Sequence, residues 1–301
     1  MSDVDASTPV RVGLVGAGPW AKMVHAPVLA AGPETQLAGV WARRIDAAER
    51  LATRYAAPSF ASREELYANC DAVAFAVPPD VQADLATEAA RAGKSVLLEK
   101  PIAGDLAGAK MLADAIDAAG VASMVVLSWR YSDVVRAFVE QARAGSWLGG
   151  RGVFVSGAFV GDSPFKTPWR LERGPLLDLG PHVLDLLDAA LGPITSIAAR
   201  GDVHGMVGVL CEHEGGAVSD AVLSANVPLS PHRAGVELFG GTGELSIDCV
   251  TAVGPEAFAT MRTEFAEAVQ ASRSEPANGL GVRRGLHLQR LLADAEAQLL
   301  R

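Results

Sequence analysis

The sequence predicts an α/β protein, with a doubly wound parallel sheet in its N-terminal part followed by an α+β domain whose sheet is mainly antiparallel. Three observations carry this. Up to Leu127, short apolar or β-branched runs alternate with helical stretches of about 10–15 residues. The run Val10–Val15 passes directly into Gly16-Ala17-Gly18-Pro19-Trp20-Ala21, which reads as strand, glycine turn and helix start. Beyond Leu127, strand-like runs separated by Gly, Pro and His-containing turns predominate.

Composition sets the outer bounds. A chain of 301 residues, 50% apolar and 20% charged, has room for two domains and a sizeable core. Its net charge of -9 argues against a general phosphate-backbone binder but leaves room for a local basic pocket that takes one anionic cofactor. Residues 1–9 are polar and acidic, lack the marks of a signal peptide, and are expected to form a flexible tail. No apolar run approaches the ~18–20 residues a membrane helix needs, so a soluble protein with no membrane partner is expected; the charge disfavours a nucleic-acid partner, and the cysteine usage fits a reducing, cytoplasmic location. Cys70, Cys211 and Cys249 are widely spaced without a Cys-x-x-Cys pair, which predicts no disulfide framework and no metal site.

The glycine turn after Val10–Val15 has a mechanism. Its first glycine permits the tight turn, its second lets backbone approach a pyrophosphate, and the helix start supplies unpaired N–H groups. Pro19 suits a first helical turn, and Ala21 stands at the fingerprint's third glycine position. Leu37–Trp41 reads as the second strand. At its end, where an acid commonly accepts from the adenosine ribose, the chain has Ala42-Arg43-Arg44. Arginine pairs with a 2′-phosphate where an acid would repel it, so NADP(H) is expected over NAD(H); the competing reading is a solvated pair at a helix start.

Ile45–Tyr55 is the next helix, and Ser62 with Glu65 forms a capping-box pattern before another. Ala72–Val77 is a buried-strand run stopped by Pro78-Pro79, and Val81–Ala92 is helical. Ser95–Ala103 then carries an apolar strand into Glu99-Lys100-Pro101. A strand end is where open parallel sheets place their ligands, and Pro101 restricts Lys100 to an extended conformation. A salt bridge between Lys100 and Glu99 is the plain alternative. Helix Leu106–Ala119 and strand Val121–Leu127 complete a Rossmann-like domain over residues 10–127. The candidate cofactor residues are therefore Gly16, Gly18, Pro19, Trp20, Ala42, Arg43, Arg44, Val77, Pro78, Glu99 and Lys100.

Residues 128–301 form the second domain. Asp133–Ala144 is helical, Gly149-Gly150 reads as a break, and Arg151–Val160 as a strand. Further strands are predicted near Ile194–Val203, Val207–Glu212, Ala217–Asn226, Val236–Gly240 and Glu244–Asp248. Between them, helix Leu176–Leu191 carries Asp178, His182 and Asp185. Asp178 and His182 are four apart and share a helix face, which suits a carboxylate that orients an imidazole acid/base; an ordinary polar helix pair has the same spacing. Trp169-Arg170 falls in a proline-bounded loop before this helix, where a ring and a guanidinium either line a pocket or pack at the surface. His25 is expected to pack, and His204, His213 and His232 show no ligand spacing. Two amphipathic helices, Pro255–Ser272 and Val282–Leu300, are expected to pack against domain surfaces.

The ordered combination of Gly16-Ala17-Gly18, Glu99-Lys100-Pro101, Arg130-Tyr131 and Asp178-Leu-Gly-Pro-His182-Val-Leu-Asp185 resembles the Gfo/Idh/MocA oxidoreductases across nearly the whole chain. Two positions depart from the pattern: Ala21, and the lead-in Glu172-Arg173-Gly174-Pro175. The resemblance implies an open, mainly antiparallel second sheet that serves contacts between copies in a homodimer or homotetramer. It also implies that Lys100, Asp178 and His182 are catalytic and surround the reacting carbon. With Arg130, Trp169 and Arg170 they make up the expected substrate-binding set. The function implied is hydride transfer to or from a carbonyl or alcohol carbon of a sugar, cyclitol or similar small polyhydroxylated metabolite. A regulator of the same fold that senses NAD(P) without turnover is the alternative from a different class.

Overall fold

The computed structural model describes residues 8–241 and 243–300. Strand β1 (Val10–Val15) is buried at every position except Arg11, as befits a parallel strand covered on both faces. With it run β2 (Thr35–Trp41), β3 (Ala72–Phe75), β4 (Ser95–Leu98) and β5 (Ser123–Val125). Their order is β2-β1-β3-β4-β5, parallel throughout. Outside β2, Val40 bonds to Pro58 and Phe60, both at 3.0 Å, which leaves one bridge where a further strand would run.

The connections are helical. A single wide turn, Ala21–His25, leads into α1 (Ala26–Ala30), and α2 (Ile45–Thr53) and α3 (Arg63–Ala68) follow β2. The capping box forms: the Glu65 N–H donates to Ser62 Oγ at 3.1 Å, and the Ser62 N–H to Glu65 Oε2 at 3.4 Å. Helix α4 (Pro79–Arg91) starts two residues before the expected Val81, because proline fits the first turn of a helix. Helix α5 spans Leu106–Ala119, as expected.

Next come a helical turn, Ser128–Tyr131, then α6 (Asp133–Ala144) and β6 (Trp147–Val155). The expected break at Gly149-Gly150 is absent, since both glycines lie inside β6. Strands on both sides pair with β6, and that ladder overrides the local preference of glycine. Helix α7 (Pro168–Leu191) is interrupted at Gly174, whose φ of +72° is open to glycine at little cost. Strands β7 (Ile194–Gly201), β8 (Met206–His213), β9 (Val218–Ser224), β10 (Arg233–Gly240) and β11 (Gly243–Asp248) complete a second sheet. Its order is β11-β10-β6-β9-β8-β7, antiparallel except for β6 beside β9. One face is buried through Val207, Val209, Cys211, Val236 and Leu238, and the other exposes Met206, Leu210, Val218 and Phe239. Helices α8 (Pro255–Gln270) and α9 (Val282–Leu299) end the chain.

Contacts divide the protein into two units, the first holding residues up to Val126 with Phe258–His287, and the second Leu127–Ala257 with the remainder from Leu288. The break expected near residue 127 is therefore one of three crossings. Of the expected tail at residues 1–9, residues 1–7 lie outside the described residues. In the first unit, the segment after α8 covers the edge of β5: the Val125 N–H donates to Leu280 O at 2.7 Å, and the Val282 N–H to Ser123 Oγ at 3.0 Å. Among the described residues no helix is long and apolar enough to cross a membrane.

Glu34 ties α8 to the first unit. It accepts from Arg262 Nε at 2.7 Å and from Thr263 Oγ1 at 2.9 Å. Partial burial opposes its charge, but the bond from Arg262 and the other hydrogen bonds outweigh that, so its carboxyl lies below the ordinary 4.5. A lowered folded value means stability that is complete above the ordinary value and lost as pH falls through the folded one. Glu34→Gln is expected to cost about 1–2 kcal/mol at pH 7. Urea titrations at stepped pH should show this difference from wild type shrinking below the ordinary value; a difference independent of pH would refute the charge's role.

Candidate active site

The first unit builds a cradle at the carboxyl ends of β1 and β3, beside the point where strand order reverses. Gly16 has φ +121°, and a Cβ there would strike the carbonyl oxygen of Ala76. A Cβ at Gly18 would meet no protein atom within 4 Å. The bareness of Gly18 thus serves no packing of the protein's own and leaves its backbone open to a ligand. Gly16, Gly18, Ala42, Arg43, Arg44, Val77 and Pro78 all line one cavity of about 510 Å³. Pro19, Trp20, Glu99 and Lys100 are not among its lining residues.

Lys22, Arg50 and Arg63 also line this cavity. No sequence motif marks them as cavity residues, although Arg50 stands four residues after Asp46, a spacing that puts both on one helix face. Asp46 accepts from Arg44 Nη2 at 2.8 Å and from Arg50 Nη2 at 2.7 Å. Those two bonds, Arg44 first, hold its carboxyl well below the usual carboxylate range. Arg63 lies 5.2 Å from the ring centre of Trp41 and 3.0 Å from Glu88. Bare backbone at one place and several guanidinium groups at another fit a dinucleotide: pyrophosphate against the glycine turn, adenosine towards the arginines.

Glu99 and Lys100 follow β4. The carboxamide of Gln82 in α4, fully buried, accepts from the Glu99 N–H at 2.9 Å and donates to Glu99 O at 2.7 Å and Ile102 O at 3.2 Å. Glu99 Oε1 accepts from Trp20 Nε1 at 2.6 Å and from His25 Nε2 at 2.8 Å. Residues five apart diverge on an α-helix at 100° per residue. The wide turn Ala21–His25, closed from Ala26 N–H to Ala21 O, brings Trp20 and His25 round to one acceptor. Lys100 is half-buried, and its peptide bond to Pro101 is cis.

In the second unit Asp178, His182 and Asp185 are all buried on α7. Arg170 Nε lies 3.1 Å from Asp178 Oδ1. Arg130 Nη1 donates to both oxygens of Asp185, at 3.2 and 3.0 Å. Trp169 and Arg170 are not in a loop: they occupy the first turn of α7, which Pro168 opens and the irregularity at Gly174 lets continue. The Arg170 guanidinium lies 4.5 Å from the ring centre of Trp169. A larger hollow of about 740 Å³ lies against Arg151, Val153 and Gly235 and takes in neither Asp178 nor His182. The buried polar stretch of α7 lies apart from that hollow.

A parallel nucleotide-binding sheet with this cradle, joined in one chain to a mixed sheet with a buried Asp–His helix, defines an NAD(P)-dependent oxidoreductase. Comparison with known proteins makes the class specific. Residues 10–127 match the family model described as "Oxidoreductase family, NAD-binding Rossmann fold", and residues 134–246 match the GFO/IDH/MocA C-terminal domain. The chain belongs to the Gfo/Idh/MocA family. A dTDP-3,4-didehydro-2,6-dideoxy-alpha-D-glucose 3-reductase of Saccharopolyspora spinosa is 28% identical over 254 residues, covering 80% of this chain and 75% of that protein. GenD2 from gentamicin A biosynthesis, solved with NAD, superposes with a TM-score of 0.84 at 23% identity, over 98% of this chain and 95% of that one. KijD10, a 3-ketoreductase from Actinomadura kijaniata solved with TDP-benzene and NADP, gives 0.80 at 21% identity, over 96% and 98%.

The Gln82 carboxamide satisfies both backbone groups of Glu99, so an apolar replacement of similar length leaves them buried and unpaired. Gln82→Met is expected to lower stability by about 2 kcal/mol, read as a fall in urea midpoint at unchanged slope. A change under about 0.5 kcal/mol, no more than a surface substitution gives, would show that the turn stands without it.

Proposed function

We propose that this chain is an NADP(H)-preferring oxidoreductase that moves a hydride to or from a carbonyl or carbinol carbon of a sugar, cyclitol or similar polyhydroxylated metabolite. One observation carries the reading. Arg43 and Arg44 line the same cavity as Gly16 and Gly18, while Asp46, the nearest acid in sequence to the end of β2, is turned onto Arg44 and Arg50. A ribose 2′-hydroxyl gains little from that array, and a 2′-phosphate gains charge-assisted hydrogen bonds. The solved relatives named above carry NAD in one case and NADP in the other, so preference is a matter for this chain's own residues.

A bound nicotinamide supplies the hydride in reduction and accepts it in oxidation. The protein's part is charge and proton. His182 gives a proton from an imidazole nitrogen to the oxygen that becomes the alcohol, and takes it back in oxidation. Lys100 offsets the negative charge on that oxygen. Asp178, held by Arg170, orients the imidazole from the preceding turn of α7. Arg130, Trp169 and Arg170 shape the site, the two arginines through carboxylates they already hold.

Calorimetry on the wild type is expected to show NADPH binding roughly ten- to a hundredfold more tightly than NADH, the worth of one or two charged hydrogen bonds. Arg43→Ala should remove most of that ratio; tighter binding of NADH by wild type would overturn the preference.

Turnover is followed at the reduced-nicotinamide absorbance band with myo-inositol, free aldoses and ketoses, and nucleotide-linked sugars. Lys100→Ala and His182→Ala are each expected to lower kcat by about a hundredfold or more. Undiminished rates in both would defeat the assignment, and NADPH binding without turnover on any compound would favour the sensor.

A further inference from the structure

The imidazole of His182 rests on an indole that the sequence did not single out. A helix backbone sets the position of a histidine and narrows χ1, but χ2 of an imidazole is broad and settles only against neighbours. In the second unit that neighbour is Trp129. Its ring stacks offset against the imidazole, with centroids 5.3 Å apart and planes at 26°. Phe154 of β6 adds a further wall, 5.4 Å from Trp129 and 6.2 Å from His182. Trp129 is 6% exposed and His182 9%, so both rings are packed inside the unit.

The placement follows from helix geometry. His182 and Asp185 are three apart and adjacent on one face of α7. Consecutive residues of the turn Ser128–Tyr131 engage them both: Trp129 covers the imidazole, and Arg130 takes both oxygens of Asp185. The ion pair anchors the turn to the helix, and the indole carried beside it is thereby set against the ring.

We propose that Trp129 is the positioning residue for proton transfer, its indole face setting χ2 of His182 and with it the direction in which the imidazole nitrogen points. This rests on the proposed proton-transfer role of His182. A tryptophan that only filled core space would alter stability and leave the aim of the imidazole unchanged.

The test has two readouts. In protein labelled with 13C-histidine, the His182 ring protons, assigned with His182→Gln among the six histidines, are expected upfield of those of exposed His204 because the indole is stacked beside them. Trp129→Leu should move them downfield, and Trp129→Phe only part of the way. With NADPH and the panel compound turned over fastest, Trp129→Leu is expected to lower kcat ten- to a hundredfold, the order of loss for a reacting group displaced by about 1 Å. The NADPH dissociation constant should stay within about twofold, since Trp129 does not line the cofactor cavity, and kcat should fall by more than KM rises. Trp129→Phe, which keeps a flat wall, should restore most of kcat.

Ring protons that do not move, or an unchanged kcat in Trp129→Leu, overturn the proposal. If the Leu variant does not fold, the partial shift in Trp129→Phe decides, and its absence overturns. His182→Gln assayed alongside reports separately on the proton-transfer role, so its failure is told apart from failure of the stack.

Discussion

The Glu99 carboxylate is the constraint on which the first unit's strand-end chemistry depends. One of its oxygens accepts from both Trp20 and His25, while its peptide group is held on both sides by Gln82. A buried carboxylate is costly unless its lone pairs are filled, and here two donors fill one oxygen. Glu99 joins the helix that follows the glycine turn to the strand end that presents Lys100. The wide turn at Ala21–His25 has a reason in this contact: without it, Trp20 and His25 would point in different directions. The cradle and the lysine are consequently parts of one hydrogen-bonded structure.

The second unit solves a similar problem with ion pairs. Three ionisable groups on α7 are buried within eight residues, and Arg170 and Arg130 arrive from outside that stretch to meet Asp178 and Asp185. Removing either arginine would take a charge partner from a buried carboxylate, a larger cost than the pair itself is worth. The irregularity at Gly174 lets the same helix supply Arg170 and then present Asp178. Within the lead-in Glu172-Arg173-Gly174-Pro175, Gly174 takes the positive φ and Pro175 starts the helix again.

Much of this was legible in advance. Val10–Val15, Leu106–Ala119 and Asp133–Ala144 have the bounds their apolar patterns predict, and the Ser62–Glu65 capping box forms as written. These are local features decided by period, caps and breakers. The misreadings share one cause. Gly149-Gly150 looked like a break because glycine is a poor strand former, yet β9 and β10 pair on either side of it. Trp169-Arg170 looked like loop because prolines bracket it, yet Pro168 opens a helix there. Lys22, Arg50 and Arg63 were invisible as cavity residues, because nothing in their own neighbourhoods says that β1, β2 and β3 bring them together.

The sequence by itself determined the fold class, the family, and which residue types stand at the strand ends and on α7, because hydrophobic period and short motifs are properties of neighbouring residues. Tertiary structure decided the partners: Gln82 and His25 for Glu99, Arg170 for Asp178, Arg130 for Asp185, Trp129 for His182. Those pairings span from eight to seventy-four positions in the chain. Apart from Arg170 and Asp178 on α7, no periodicity reaches so far, and the packing of strands and helices against one another brings such groups within hydrogen-bonding or stacking distance.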